Sequence, residues 1–168
     1  RGSEIVTAIQ SRQEVLVWTD QALYGLQYLG APDAWGAQLL GDNISILSPN
    51  SAIYVSGVAY WMGTDKFYRY DGNVLPLNCD LRRYIFDDIN LAQKDQIFVG
   101  LNERFNEIWW FYCSSDSTTT DRYVVYNHVE GVWTYGNMAR SAWVESKIRA
   151  NPIAATFNNK LVYHEIGY

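Results

Sequence analysis

An all-β fold of antiparallel hairpin repeats, forming part of a β-propeller-like domain, is predicted by three observations. Short β-branched and aromatic runs alternate with Gly, Asn, Asp, Ser and Pro along nearly the whole chain. Aromatic residues supply 15% of the sequence, with 13 Tyr, 7 Trp and 6 Phe, a bias toward strands. A group of features then recurs at roughly 40 to 50 residues, the spacing of propeller blades. At 48% hydrophobic and 18% charged residues, the 168-residue chain is predicted to be folded and long enough to bury a core.

The strands are read in order at residues 14–18, 22–24, 52–55, 58–61 and 66–70, then at 96–99, 107–112, 121–127 and 160–164. A Ser/Thr/Asp-rich loop is expected at 114–121. One segment departs from the period of two. Between residues 81 and 93, Tyr84, Ile85, Ile89 and Ala92 stand near helical spacing, which predicts a short helix or turn.

The recurring unit is an apolar strand ending in Trp, an Asp-containing turn and a strand ending in Tyr. Its first copy runs through Ala8-Ile9, Val15-Leu16-Val17-Trp18, Asp20 and Leu23-Tyr24 to Tyr28 and Gly30. The second runs through Ala52-Ile53, Val58-Ala59-Tyr60-Trp61, Asp65 and Phe67-Tyr68 to Tyr70 and Gly72. The third places Ile108-Trp109-Trp110 before Tyr123-Val124-Val125-Tyr126, Trp133 and Gly136, and a fourth begins at Ile153-Ala154-Ala155. The expected organisation is one all-β domain over 1–168, with repeats at 4–43, 44–100, 101–150 and 151–168. Alternate side chains of each strand face a neighbouring sheet, so the large rings fill the wedge between twisted sheets. Trp18, Tyr24, Trp61, Tyr68, Trp110, Tyr126 and Trp133 are the expected repeat-core aromatics. The Asp20 and Asp65 turns are expected to need only their own backbone-capping chemistry.

Site chemistry is sparse. Cys79 and Cys113 match no metal-ligand spacing and give no disulfide framework, so two half-buried free thiols in a reducing compartment are expected. His128 and His164 are the only histidines, and nothing in the sequence brings them together. No nucleophile elbow and no glycine-rich phosphate loop is present. Asp87-Asp88 is read as a helix-start or loop feature, and Glu107 as a buried hydrogen-bonded carboxylate rather than a catalytic acid. No catalytic residue, cofactor or metal is assigned. Arg82-Arg83 beside Tyr84, and Arg140 near Trp143, are the cationic-aromatic clusters that could meet a partner. A net charge of −5 argues against coating nucleic acid through a general basic surface. No apolar run approaches a membrane span, and no secretion signal is read, so Asn43-Ile44-Ser45 is taken as a chance glycosylation pattern.

The run Asn106-Glu107-Ile108-Trp109-Trp110-Phe111-Tyr112, with Asp121-Arg122-Tyr123-Val124-Val125-Tyr126-Asn127, Trp133, Gly136, Arg140 and Trp143, resembles tailed-bacteriophage virion proteins. Val17-Trp18-Thr19-Asp20, Tyr60-Trp61-Met62-Gly63 and Pro152-Ile153-Ala154-Ala155 share that resemblance. The group is the propeller-like tail, neck or DNA-stabilisation proteins. The resemblance implies a non-enzymatic structural and assembly role in the tail or at the head–tail junction. Implied partners are portal, adaptor or tail components and further copies of the chain in a ring, with direct nucleic-acid contact left open and no membrane. It implies a place in the virion, reached by assembly in the host cytoplasm. The alternative is a carbohydrate-binding or glycan-cleaving propeller used in host recognition. The opening at Arg1-Gly2-Ser3 without Met, and the half-repeat at the end, suggest a fragment of a longer chain.

Overall fold

The computed structural model describes residues 2–145 and 148–167. Arg1, part of the opening that suggests a fragment, lies outside the described residues. The fold is all-β, with 49% strand and 10% helix, which leaves no room for helical crossovers between parallel strands. Among the described residues four antiparallel sheets form, and none closes into a propeller. The chain gathers into two compact units, Arg1–Cys79 and Asp80–Tyr168, where the sequence predicts one domain. No helix among the described residues is long and apolar enough to cross a membrane.

In the first unit, β1 (Ile5–Gln10), β2 (Val15–Thr19), β3 (Ala22–Gly30) and β4 (Ala34–Asp42) form an up-and-down sheet in that order. A second such sheet is built of β5 (Ala52–Val55), β6 (Val58–Met62), β7 (Phe67–Tyr70) and β8 (Val74–Leu77). Short turns fix the pairing. Ser56 and Gly57 both have positive φ, +51° and +83°, the geometry that lets a two-residue loop follow the strands' twist. The β2–β3 turn is capped by Thr19, whose Oγ1 accepts from the Ala22 N–H at 2.9 Å. Asp20 reaches beyond its own turn. Its carboxylate accepts from the Ser3 N–H (2.7 Å) and Ser3 Oγ (2.8 Å), clasping the segment before β1. Those hydrogen bonds hold the Asp20 carboxyl below its ordinary range.

The second unit opens with α1 (Arg82–Asp88), which buries Ile85. The helix expected to reach residue 93 stops early. Ile89 turns extended (φ −64°, ψ 129°) and bridges to Ser114, and Asn90 Oδ1 accepts from the Ala92 N–H to start a separate 3-10 turn, Leu91–Gln96. Asp87-Asp88 therefore closes the helix instead of starting it. The third sheet follows, with β9 (Phe98–Asn102), β10 (Glu107–Tyr112), β11 (Arg122–Asn127) and β12 (Val132–Asn137) in the order β12-β11-β10-β9. A fourth sheet contains β13 (Ala142–Val144), β14 (Ile153–Ala155) and β15 (Leu161–Tyr163). It begins at Ala142, so the last repeat starts earlier than the expected residue 151.

The repeat is real at one position. Trp18, Trp61 and Trp110 each stand fourth in the second strand of a four-stranded sheet, and each is fully buried. A ring burying roughly 150–250 Å² contributes about 4–6 kcal/mol of transfer free energy before ordering costs. Trp18 meets Trp61 edge-on at 5.2 Å in the core shared by the first two sheets, with Ile44 and Ile46 of the connecting loop beside them.

Candidate functional site

The tyrosines do not repeat as the tryptophans do. Tyr68 lies directly opposite Trp61 and stacks on it at 5.3 Å. The residue opposite Trp18 is Leu23, and the residue opposite Trp110 is Val124. Tyr24 is thus one step out of register with Tyr68, points to the other face and is only half-buried. Tyr126 is buried opposite Ile108, on the face of Trp110, and packs on half-buried Trp133 at 4.6 Å.

Arg82 and Arg83 are exposed on α1, and Tyr84 beside them packs its ring 4.5 Å from Tyr135. Arg83, Tyr84, Asp87, Asp88 and Arg122 line a shallow depression there. Asp88 Oδ2 lies 3.7 Å from Arg122 Nε, and Ser115 Oγ donates to Asp88 Oδ1 at 3.3 Å. These contacts offset the cost of an acid at a helix C-terminus. Tyr112 reaches the same charges from below, and burial pushes its phenol well above its ordinary range.

The other expected contact cluster is internal. Arg140 and Trp143 are half-buried and meet across His164: Arg140 Nε lies 3.0 Å from His164 Nε2, and the Trp143 ring lies 4.5 Å from the imidazole. Trp143 Nε1 donates to the Leu101 carbonyl at 2.9 Å, and its ring stacks on Trp109 at 5.4 Å. These contacts fasten the fourth sheet onto the third. Burial, with Arg140 adding to it, pushes His164 down to about 4, so it accepts as a neutral imidazole. His128 is half-buried elsewhere, and burial lowers it too. Glu107 Oε2 accepts from Trp109 Nε1 (3.0 Å) and Asn102 Nδ2 (3.4 Å), a structural carboxylate. Burial raises its pKa despite those bonds. Both cysteines are buried thiols outside any disulfide. Among the described residues, no three His, Cys, Asp or Glu side chains gather as a metal site requires.

The first unit carries a cleft that the sequence does not announce. The β1–β2, β5–β6 and β7–β8 turns converge on a space of about 240 Å³, lined by Ser11, Arg12, Gln13, Glu14, Tyr54, Gly57, Tyr70, Asp71 and Gly72. Tyr70 Oη donates to Glu14 Oε1 at 2.9 Å, joining β7 to the β1–β2 turn across 56 positions of sequence. Burial and the Glu14 carboxylate push the Tyr70 phenol up to about 12, so it stays a donor through the neutral range. Gly25 makes room for Glu14, because a Cβ there would come within 2.1 Å of Oε2.

No protein-family description matches the chain, and no curated protein matches it. Among solved structures, it is similar to one described as the extracellular domain of a one component system from B. thetaiotaomicron. The TM-score is 0.56 at 10% identity, over 96% of this chain and 22% of that chain. The likeness is therefore one of fold, and this chain spans about a fifth of that protein's length.

Proposed function

We propose that this chain is a non-enzymatic structural and assembly module of a tailed-phage virion, in the tail or at the head–tail junction. Its partners in this reading are portal, adaptor or tail components and copies of itself in a ring. The observation that supports it is the β3–β4 hairpin. Its two nine-residue strands are the longest of the described elements, and their far end carries Tyr28, Leu29 and Trp35 at 68%, 61% and 59% exposure. Tyr28 and Trp35 pack edge-on at 5.6 Å, so the tip is an ordered aromatic knob in solvent. Aromatic side chains of this size, held rigid by a sheet, are the anchors that fully buried interface centres favour. The hairpin is the contact by which the module grips its neighbour during assembly in the host cytoplasm.

The test is localisation and capture. Antibody raised against the chain should decorate the tail or neck of purified particles from cells that express it. Trp35→Ala with Tyr28→Ala should abolish its incorporation while leaving the isolated chain folded. Particles that carry none of the chain, or that incorporate the double variant normally, overturn the proposal.

A further inference from the structure

We infer that the cleft at the β1–β2, β5–β6 and β7–β8 turns binds a single neutral pyranose unit. The inference stands on the lining chemistry and does not rest on the virion reading. Size limits the occupant first. About 240 Å³ is below the usual range for drug-sized ligands, which suits one sugar-sized ring. Charge comes next. Arg12 and Glu14 balance each other on the lining, and Asp71 is paired with Arg69, two residues before it on β7. A cleft so balanced offers no net attraction to an anion or a cation.

The polar groups have the variety that vicinal hydroxyls require. Each sugar hydroxyl both donates and accepts, and the cleft presents carboxylate acceptors (Glu14, Asp71), a guanidinium donor (Arg12) and an amide that does both (Gln13). The Tyr70 hydrogen bond occupies only part of the acceptor capacity of Glu14 and fixes the carboxylate in place. The site is therefore ordered before anything binds. Tyr54 supplies the remaining requirement. It is half-buried and packs against the core of the first unit, which leaves a supported ring beside the polar groups for the C–H face of a pyranose.

The experiment is an NMR titration of the full chain with methyl glycosides of glucose, galactose and mannose, and with N-acetylglucosamine. Glucuronate and glucosamine serve as the charged probes. At least one neutral sugar should give saturable shifts confined to residues 11–14, 54–57 and 70–72, at roughly millimolar affinity. Tyr54→Ala and the surface change Asp71→Asn should each weaken binding about tenfold or more, with the dispersed indole signals confirming an intact fold. The inference fails if no neutral sugar gives saturable shifts, if the shifts survive both variants, or if a charged probe binds as well as the neutral ones.

Discussion

The two units build their cores around the same tryptophan by different means. In the first unit, one face of each sheet meets the other sheet: Leu16 and Leu23 of the strands lie around Trp18 and Trp61, and Ile44 and Ile46 of the connecting loop complete the contact. In the second unit, β10 is buried on both faces, as β6 is in the first, but here aromatic rings fill both sides. Trp110 lies with Tyr126 and Trp133 on one side, and Trp109, Phe111 and Tyr123 lie with Phe98 and Trp143 on the other. A repeat can thus keep a single packing position while each copy fills the surrounding space with what its own connections supply. The weak points differ as well. The first unit joins its two sheets at the seam around Trp18 and Trp61, and the second is held by a continuous stack of rings.

The largest test of that contrast truncates the shared tryptophan. Trp61→Ala and Trp110→Ala should each cost about 3–5 kcal/mol by denaturant unfolding. Trp61→Ala should cost more of its unit's cooperativity, because it opens the seam shared by that unit's two sheets. Equal and small losses would break the comparison. A second test strikes the ring stack. A Cβ on Gly100 would come within 2.3 Å of Trp143 Cδ1, so Gly100→Ala should destabilise the second unit by about 1–3 kcal/mol. Adding Trp143→Ala to that variant should cost less than Trp143→Ala costs alone, since the clash is gone. Additive losses would show that the ring does not lie on Gly100.

Smaller effects sharpen the picture. Tyr70→Phe removes the hydrogen bond to Glu14 and should cost about 0.5–1.5 kcal/mol in the first unit. Acid titration probes the other unit. His164 is held near 4 against an ordinary 6.5, so as pH falls the unfolded chain takes up the proton first. Its contribution to stability is complete above pH 6.5, declines between 6.5 and about 4, and is flat below. His164→Gln should flatten the pH dependence of stability across that window relative to the parent chain. An identical slope would remove His164 as the cause.

The strands at β2, β5, β6, β7, β10 and β11 were legible because β-branched and aromatic residues cluster in them. β4 was not: its glycines, glutamine and mostly exposed side chains carry no inward pattern, and it forms by backbone pairing to β3. The Trp repeat was visible because residue type and burial coincide at one position. Tyr24 misled because it stands one residue past Leu23, the partner of Trp18, whereas Tyr68 is itself the partner of Trp61; that single step puts the apparently matching Tyr on the opposite face. Asp87-Asp88 misled because nothing local marks Ile89 as the stop. The cleft and the Arg140–His164–Trp143 contact were illegible for a simpler reason. Their members are joined by register between strands far apart in sequence, and no local spacing encodes that.

Each unit encloses one thiol. Cys79 ends the first unit and Cys113 lies in the second, and both are buried. Burial also raises the Cys113 pKa to about 11, so while folded it is protected twice, by exclusion of reagent and by scarcity of thiolate. A thiol reagent therefore modifies either site only when the surrounding structure opens. With one sulfur per unit, mass spectrometry of the two cysteine peptides becomes a pair of independent clocks. Their rates, read along a denaturant series, give the opening free energy of each half of the chain without introducing any label.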